Sequence, residues 1–322
     1  MEKSKIIILL DNHEEIAKEA IAYLNDKGYD VLFAEDKQKI INYATYNSSE
    51  ALFVRGAKID RTLIKNMPKL KVIARGGVGT DNIDIETATE HGIYVCNVPD
   101  GNYTSVAEHV VAMILSLSHQ IVNGDRALRE GDFAARHEYI GAEVKGKTIG
   151  VIGFGKIGQL VAEKCVCGLN MRVLAYDPYV TEITQENVDL IDNMELLIEK
   201  SDFVTLHLPY TSSLHHIINR EVFKKMKKTA YLINCARGGL IDELALAEAI
   251  KNKEIAGAGI DVFEIEPPRK KHVLWDLENI IVTPHMGAST RDSLVRMAEG
   301  AAKEIVRVLE GKRPKNPQNQ VG

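Results

Sequence analysis

One stretch between Lys147 and Asp177 restricts the fold more than any other. A short apolar run, Thr148-Ile-Gly-Val-Ile152, enters Gly153-Phe-Gly155-Lys156-Ile157-Gly158. A helix-like segment follows, and a second apolar run, Met171-Arg-Val-Leu-Ala-Tyr176, ends in Asp177. Strand, glycine turn, helix, strand and acid is the order a dinucleotide site requires. Gly153 permits the tight turn, Gly155 lets the backbone approach a pyrophosphate, and Gly158 lets helix and strand pack closely. The helix start then offers unpaired N–H groups and a partial positive charge to phosphates. Asp177 lies 19 residues after Gly158, near the spacing of about 20 expected of a ribose-binding acid. Its carboxylate would repel a 2′-phosphate and no arginine follows it, so the pattern favours NAD over NADP. The plainer alternative is a helix-packing turn in an ordinary α/β domain.

Length and composition narrow the rest. A chain of 322 residues is expected to form two domains. Its 45% apolar and 26% charged residues suit a globular protein, and a net charge of −5 gives no general attraction to nucleic acid or an anionic membrane. The start, Met1-Glu-Lys-Ser-Lys5 before five apolar residues, is too short for a signal-peptide core and reads as a buried first strand. No apolar run approaches a membrane span. Cys96, Cys165, Cys167 and Cys235 show neither metal spacing nor a disulfide framework. Free thiols are the expectation, and with them a reducing, cytoplasmic setting and no metal.

Short apolar runs alternate with amphipathic ones through the first hundred residues. Strands are expected at 6–10, 29–33, 51–55, 71–74 and 93–98, with helices at 14–27, 37–45, 60–67 and 85–91. That alternation implies a parallel sheet with crossover helices. A long helix follows at 102–120, opened in capping-box style by Thr104-Ser105 and Glu108, and another at 121–130. From Thr148 six more strands are expected, near Ile149, Val173, Phe203, Ala230, Ala256 and Ile280, the count of a Rossmann sheet. The run 289–309 reads as one helix with a polar tail and no strand to join, so it is expected to return to the first domain. The division is therefore 1–100 plus 289–322 as one domain, and 101–288 as the dinucleotide-binding domain.

Three segments place a polar residue just after an apolar strand, where open α/β sheets bind ligands. They are Tyr231-Leu-Ile-Asn-Cys-Ala-Arg237, Ala258-Gly-Ile-Asp261-Val-Phe-Glu-Ile-Glu266 and Ile281-Val-Thr-Pro-His285. Oxidising a 2-hydroxy acid sends a hydride from C2 to a nicotinamide and a proton from the hydroxyl to a base. Imidazole suits the base, a carboxylate on its other nitrogen fixes the tautomer, and guanidinium clamps a carboxylate and carbonyl. His285, Glu266 and Arg237 fit those three roles. Singly, each also reads as a loop histidine, a solvated turn acid and a carbonyl-capping arginine.

At this point the chain resembles the D-isomer-specific 2-hydroxyacid dehydrogenase family over essentially its whole length. The motifs that carry the likeness are Arg75-Gly-Gly-Val-Gly-Thr-Asp-Asn82, Gly146 to Gly158, Asn234-Cys-Ala-Arg-Gly-Gly-Leu-Ile-Asp-Glu243, Asp261-Val-Phe-Glu-Ile-Glu-Pro-Pro268 and Pro284-His-Met-Gly-Ala-Ser289. The resemblance implies two Rossmann-like or flavodoxin-like doubly wound parallel-sheet domains with a cleft between them, NAD as cofactor, and a homodimer built through the cofactor domain. It implies that Asp261 holds the nicotinamide carboxamide, and that Lys156, Ile157, Leu208, Pro209, Cys235, Ala236, His285, Gly287 and Ala288 line the cofactor. Gly77, Val78 and Gly79 would offer N–H groups to a substrate carboxylate.

Within the family the likeness is greatest to members acting on D-3-phosphoglycerate. A phosphorylated substrate needs cations beyond Arg237, and Arg55 and Arg75 fall at two strand ends of the first domain; their plainer reading is interdomain salt-bridging. Arg136 would reach a neighbouring copy's site. Gly76 stands where those members usually have Ala, Phe133 where Trp is common, and His137-Glu138 where a basic pair is frequent; the last change weakens the case for phosphate. With the sequence ending at Gly322, a serine-sensing regulatory domain is expected to be absent. The alternatives are a hydroxypyruvate or glyoxylate reductase and, more remotely, an NAD-sensing corepressor. Glu266 speaks against a formate dehydrogenase, whose relatives pair the histidine with glutamine.

Overall fold

The computed structural model describes residues 5–9 and 14–321. The described residues form two compact units: those up to Tyr103 together with Ala288 onward, and Thr104–Gly287.

The first unit is a five-stranded parallel sheet of β1 (Lys5–Leu9), β2 (Asp30–Ala34), β3 (Ala51–Val54), β4 (Val72–Arg75) and β5 (Tyr94–Cys96), in the order β2-β1-β3-β4-β5. This is the flavodoxin-like doubly wound order. All four residues of β3 are buried, as expected of a strand covered by helices on both faces. Leu10, included in the expected first strand, lies outside the described residues. Asp60 and Asp84 start their helices by accepting the N–H of Leu63 and Thr87 at 3.1 and 2.9 Å.

One expectation needs correction here. The helix expected at 37–45 breaks at Tyr43, whose extended backbone (φ −120°, ψ 120°) separates Lys37–Asn42 from Ala44–Asn47. The polar tail, expected to return to this domain, packs along its sheet. Gln318 N donates to Val95 O at 2.7 Å, Asn97 N donates to Asn316 O at 3.3 Å, and Asn319 bonds Val95 N and Ile93 O through its side chain, both at 2.9 Å. The tail thereby covers the open edge of β5, which would otherwise present unpaired backbone groups. Before it runs the helix Arg291–Leu309, started by Thr290. Its buried face, Ala298, Ala301, Ala302, Ile305 and Val306, packs with Ile6, Phe53, Val72 and Cys96.

The second unit holds β6 (Thr148–Ile152), β7 (Arg172–Tyr176), β8 (Val188–Leu190), β9 (Phe203–Leu206), β10 (Tyr231–Asn234), β11 (Gly257–Ile260) and β12 (Ile280–Val282). All are parallel, in the order β12-β11-β10-β9-β6-β7-β8. Read from β6, this is the Rossmann order extended by one strand, and it reverses between β6 and β9, where such sheets open a crevice. There are seven strands rather than the expected six. The extra one, β8, is three residues long on the sheet's edge with only Val188 buried, too short to leave an apolar run.

The helix Tyr103–Ser118 runs through this unit's core, with Val110, Met113, Ile114 and Leu117 buried. The capping box expected at its start is not formed. Ser105 lies inside the helix and its hydroxyl donates to Gly287 O at 2.7 Å, while Glu108 pairs with Lys164. Among the described residues no single helix is long and apolar enough to cross a membrane; this helix and Ile121–Arg129 pass together by length and composition, but they are bent by 63°.

Candidate active site

The glycine turn follows β6. Gly153 sits at φ 93°, and a side chain there would meet His207 O at 2.7 Å. A Cβ on Gly158 would lie 2.2 Å from Gly153 O, so its absence lets the helix Lys156–Leu169 close on the turn. Gly155 faces open space, with nothing within 4 Å of a built Cβ. A phosphate could approach the backbone there, in front of a helix N-terminus. Asp177, next in chain after β7, is beside the turn. One carboxylate oxygen accepts from Phe154 N at 2.8 Å and the other from Tyr179 N at 2.9 Å. Glycines, helix start and acid therefore fit a dinucleotide. Asp177→Ala should lower the NAD-to-NADP preference by roughly 10–100-fold, the worth of a hydrogen bond to a charged group, read as a ratio of kcat/KM values. An unchanged ratio would put the selectivity elsewhere.

His207, following β9 on the other side of the crevice, was not singled out from the sequence. Its N–H donates to Ile152 O at 2.7 Å and its ring lies 3.1 Å from Thr205 Oγ1. Burial lowers its pKa to about 3, so it is a neutral brace for the Leu208-Pro209 corner at physiological pH. A histidine between a wholly buried strand and a proline was the available signal.

Arg237, Glu266 and His285 lie beyond the C-terminal ends of β10, β11 and β12, three adjacent parallel strands. Buried Asn234 shapes the first turn, accepting from Ala236 N at 3.0 Å and donating to Arg237 O at 2.9 Å. Arg237 Nη1 donates to Ala236 O at 2.7 Å. The next residue, Gly238, packs backbone to backbone on Phe263 and Glu264. Phe263 N in turn donates to Glu266 Oε1 at 3.1 Å, and Glu266 Oε2 lies 2.6 Å from His285 Nδ1. Contacts thus link the arginine turn to the acid–imidazole pair.

The loop that carries His285 is held by Asp261, only 1% exposed. Its Oδ1 accepts from Thr283 Oγ1 at 2.6 Å and Met286 N at 2.8 Å, its Oδ2 from Gly287 N at 2.8 Å, and its carbonyl from His285 N at 2.8 Å. His109 Nε2 adds contacts at 3.2 Å to Thr283 Oγ1 and 3.6 Å to Asp261 Oδ1. Burial pushes the Asp261 carboxyl up, and these donors outweigh it, leaving the group below the usual carboxylate range. His285 has φ 49°, unfavourable for a side chain of this size, and the Asp261 network over-determines that conformation. His109, Thr283 and Ser105 also brace this loop, and no local pattern marks them, because only the fold carries them to it.

For Glu266, burial raises the carboxyl pKa and the His285 hydrogen bond and charge lower it further than burial lifts it. It stays ionised below the ordinary carboxylate range, accepts the Nδ1 hydrogen, and leaves His285 Nε2 as the nitrogen able to exchange a proton. Cys235 gives its thiol hydrogen toward Met113 Sδ at 3.7 Å, and burial pushes that thiol up, with the Asp261 charge adding to it.

In the first unit, Arg55 follows β3 and Arg75 ends β4, neighbours in the sheet. Arg55 Nη2 donates to Ser289 Oγ at 3.3 Å and Arg75 Nη1 to Gly76 O at 2.6 Å. The loop Gly77-Val78-Gly79 is tied down by Val98 N to Gly77 O at 2.9 Å and by Asn97 Nδ2 to Val78 O at 2.7 Å. Gly76 faces the Phe53 ring, which a Cβ would meet at 2.7 Å. Arg136 stacks on the exposed Phe133 ring at 4.7 Å.

Residues 111–287 match the model of the D-isomer specific 2-hydroxyacid dehydrogenase NAD-binding domain. The chain belongs to this family. It is 41% identical, over 98% of its length, to D-3-phosphoglycerate dehydrogenase of Methanocaldococcus jannaschii, and the match covers 59% of that protein. The chain thus spans somewhat over half the length of this curated relative. Among solved structures of similar fold are a protein from Thermus thermophilus (TM-score 0.87, 31% identity, 98% of this chain and 100% of that one) and the NAD-dependent formate dehydrogenase of Staphylococcus aureus in complex with NAD (TM-score 0.84, 27% identity over 99% and 100%).

Proposed function

We propose that this chain is an NAD-dependent oxidoreductase of small anionic D-2-hydroxy and 2-keto acids, with D-3-phosphoglycerate and 3-phosphohydroxypyruvate as its first pair. The observation that carries the reading is the 2.6 Å contact between His285 and Glu266 beyond the strand ends of the NAD-binding domain. Bound NAD supplies a hydride acceptor or donor. In oxidation, His285 Nε2 takes the proton of the C2 hydroxyl and the resulting imidazolium is stabilised by Glu266; in reduction the same nitrogen returns a proton to the carbonyl oxygen. Arg237 supplies a planar fork for the substrate carboxylate and carbonyl. The proposed cofactor contacts are Gly153, Gly155, Lys156, Ile157, Gly158, Asp177, Leu208, Pro209, Cys235, Ala236, Asp261, Gly287 and Ala288.

The phosphorylated substrate draws support from the curated relative's name and from Arg55 and Arg75. These are cations at neighbouring strand ends, beside a loop of backbone N–H groups suited to an anion. Steady-state kinetics on 3-phosphohydroxypyruvate, hydroxypyruvate, glyoxylate and pyruvate side by side tests the choice. Arg55→Ala should raise KM for the phosphorylated acid roughly 10–100-fold, the scale of a charged hydrogen bond, and barely alter hydroxypyruvate turnover. Equal effects on both would make Arg55 structural, and wild-type preference for hydroxypyruvate or glyoxylate would make this a reductase of those acids.

A further inference from the structure

Neighbouring side chains on a turn usually diverge, yet His215 and His216 stack, with ring centroids 3.7 Å apart and planes within 25° of parallel. The cause is local. His216 adopts φ 53°, and its N–H donates to Gly239 O at 2.9 Å. Both Nε2 atoms face one oxygen, Glu264 Oε1, at 3.1 Å from His216 and 3.9 Å from His215. On the outer side, His215 Nδ1 lies 3.3 Å from Tyr210 Oη. Glu264 is fixed from behind: its N–H donates to Glu243 Oε1 at 3.0 Å, and Glu243 Oε2 lies 3.0 Å from His272 Nε2. The proposed proton and hydride chemistry uses none of these six side chains.

We propose that His215, His216 and Glu264 form a binding site for a divalent transition-metal ion, with zinc the best match. Two imidazole nitrogens and one carboxylate oxygen are a borderline-soft donor set of the kind zinc takes. Metal–ligand bonds of about 2.0–2.2 Å put donor atoms of a tetrahedral site roughly 3.3 Å apart. The three donor atoms here all lie within 4.8 Å of one another, and small rotations of part-exposed side chains close the difference. Tyr210 Oη is placed to accept a hydrogen from His215 Nδ1; in that tautomer the Nε2 lone pair faces inward, and the phenol serves as the outer partner of a metal-bound histidine. On binding, the metal replaces the hydrogen that His216 Nε2 shares with Glu264, and the neutral ring carries its hydrogen on Nδ1. Three protein donors leave the fourth position to water.

Calorimetric titration of the chelator-stripped chain with zinc chloride tests this, alongside copper(II) electron paramagnetic resonance as a readout of bound nitrogens. The expected result is one zinc per chain and a copper spectrum with two nitrogen ligands. His216→Asn, which tolerates the left-handed backbone, and Glu264→Gln should each weaken zinc binding at least about 10-fold. His91→Ala, in the first unit and outside this cluster, should bind as wild type does. Circular dichroism checks that each variant is folded. No zinc uptake by the wild-type chain, or wild-type affinity in folded His216→Asn and Glu264→Gln, overturns the site.

Discussion

Glutamine at position 285 is expected to cut kcat by roughly 10²–10⁴, the usual worth of a general acid–base group, while NAD binding changes little. The amide can still hydrogen-bond Glu266 but cannot carry a proton at neutral pH. The loop itself is held by Asp261 through Thr283, Met286 and Gly287, and none of those bonds involves the imidazole. Stopped-flow or steady-state turnover, paired with NAD titration by protein fluorescence, separates the two effects. Unchanged turnover would remove His285 from the chemistry, and lost NAD binding would make it a structural residue.

Alanine at position 238 should be the most damaging of the small glycine substitutions. Its Cβ would fall 1.9 Å from Phe263 C, 2.1 Å from Phe263 O and 2.3 Å from Glu264 N. Backbone cannot swing aside as a side-chain tip can, so the Arg237 and Phe263–Glu266 turns must separate. Overpacking of this kind costs about 1–3 kcal/mol and occasionally more. Here it also shifts the N–H that holds Glu266, so kcat should fall more than about tenfold beyond any loss of folded protein. Thermal melting and kcat on the folded fraction measure both. Gly155→Ala is the comparison, because a Cβ there meets nothing within 4 Å and its melting temperature should stay near wild type. Equal melting temperatures for the two variants would refute the argument.

What could be read from the sequence was whatever a local pattern encodes. The glycine turn announces itself because each glycine answers a steric demand, seen here at Gly153 and Gly158. Strands such as Ala51–Val54 and Phe203–Leu206, buried at every position, leave unbroken apolar runs. His285 and Glu266 were legible as residues after strands, since parallel strands side by side bring their ends together. The rest depends on contacts between distant segments. Asp261 stands out in the sequence only through the family motif, and its grip on Thr283, Met286 and Gly287 shows only in the fold. Ser105 mimics a helix cap in sequence and instead holds Gly287 O. The stacked histidines escape metal-spacing rules, because adjacent residues converge only when the backbone turns left-handed, as at His216. A three-residue edge strand such as β8 carries too little pattern to register.

The closing helix Arg291–Leu309 and the strand-edge cover at Asn316–Asn319 have a bearing on biosynthesis. Translation delivers the first sheet's strands early but the apolar helix that seals Ile6, Phe53 and Val72 only after the whole nucleotide-binding unit has left the ribosome. Contacts this far apart along the chain form slowly. Until then the nascent sheet shows water an oily side and an open rim.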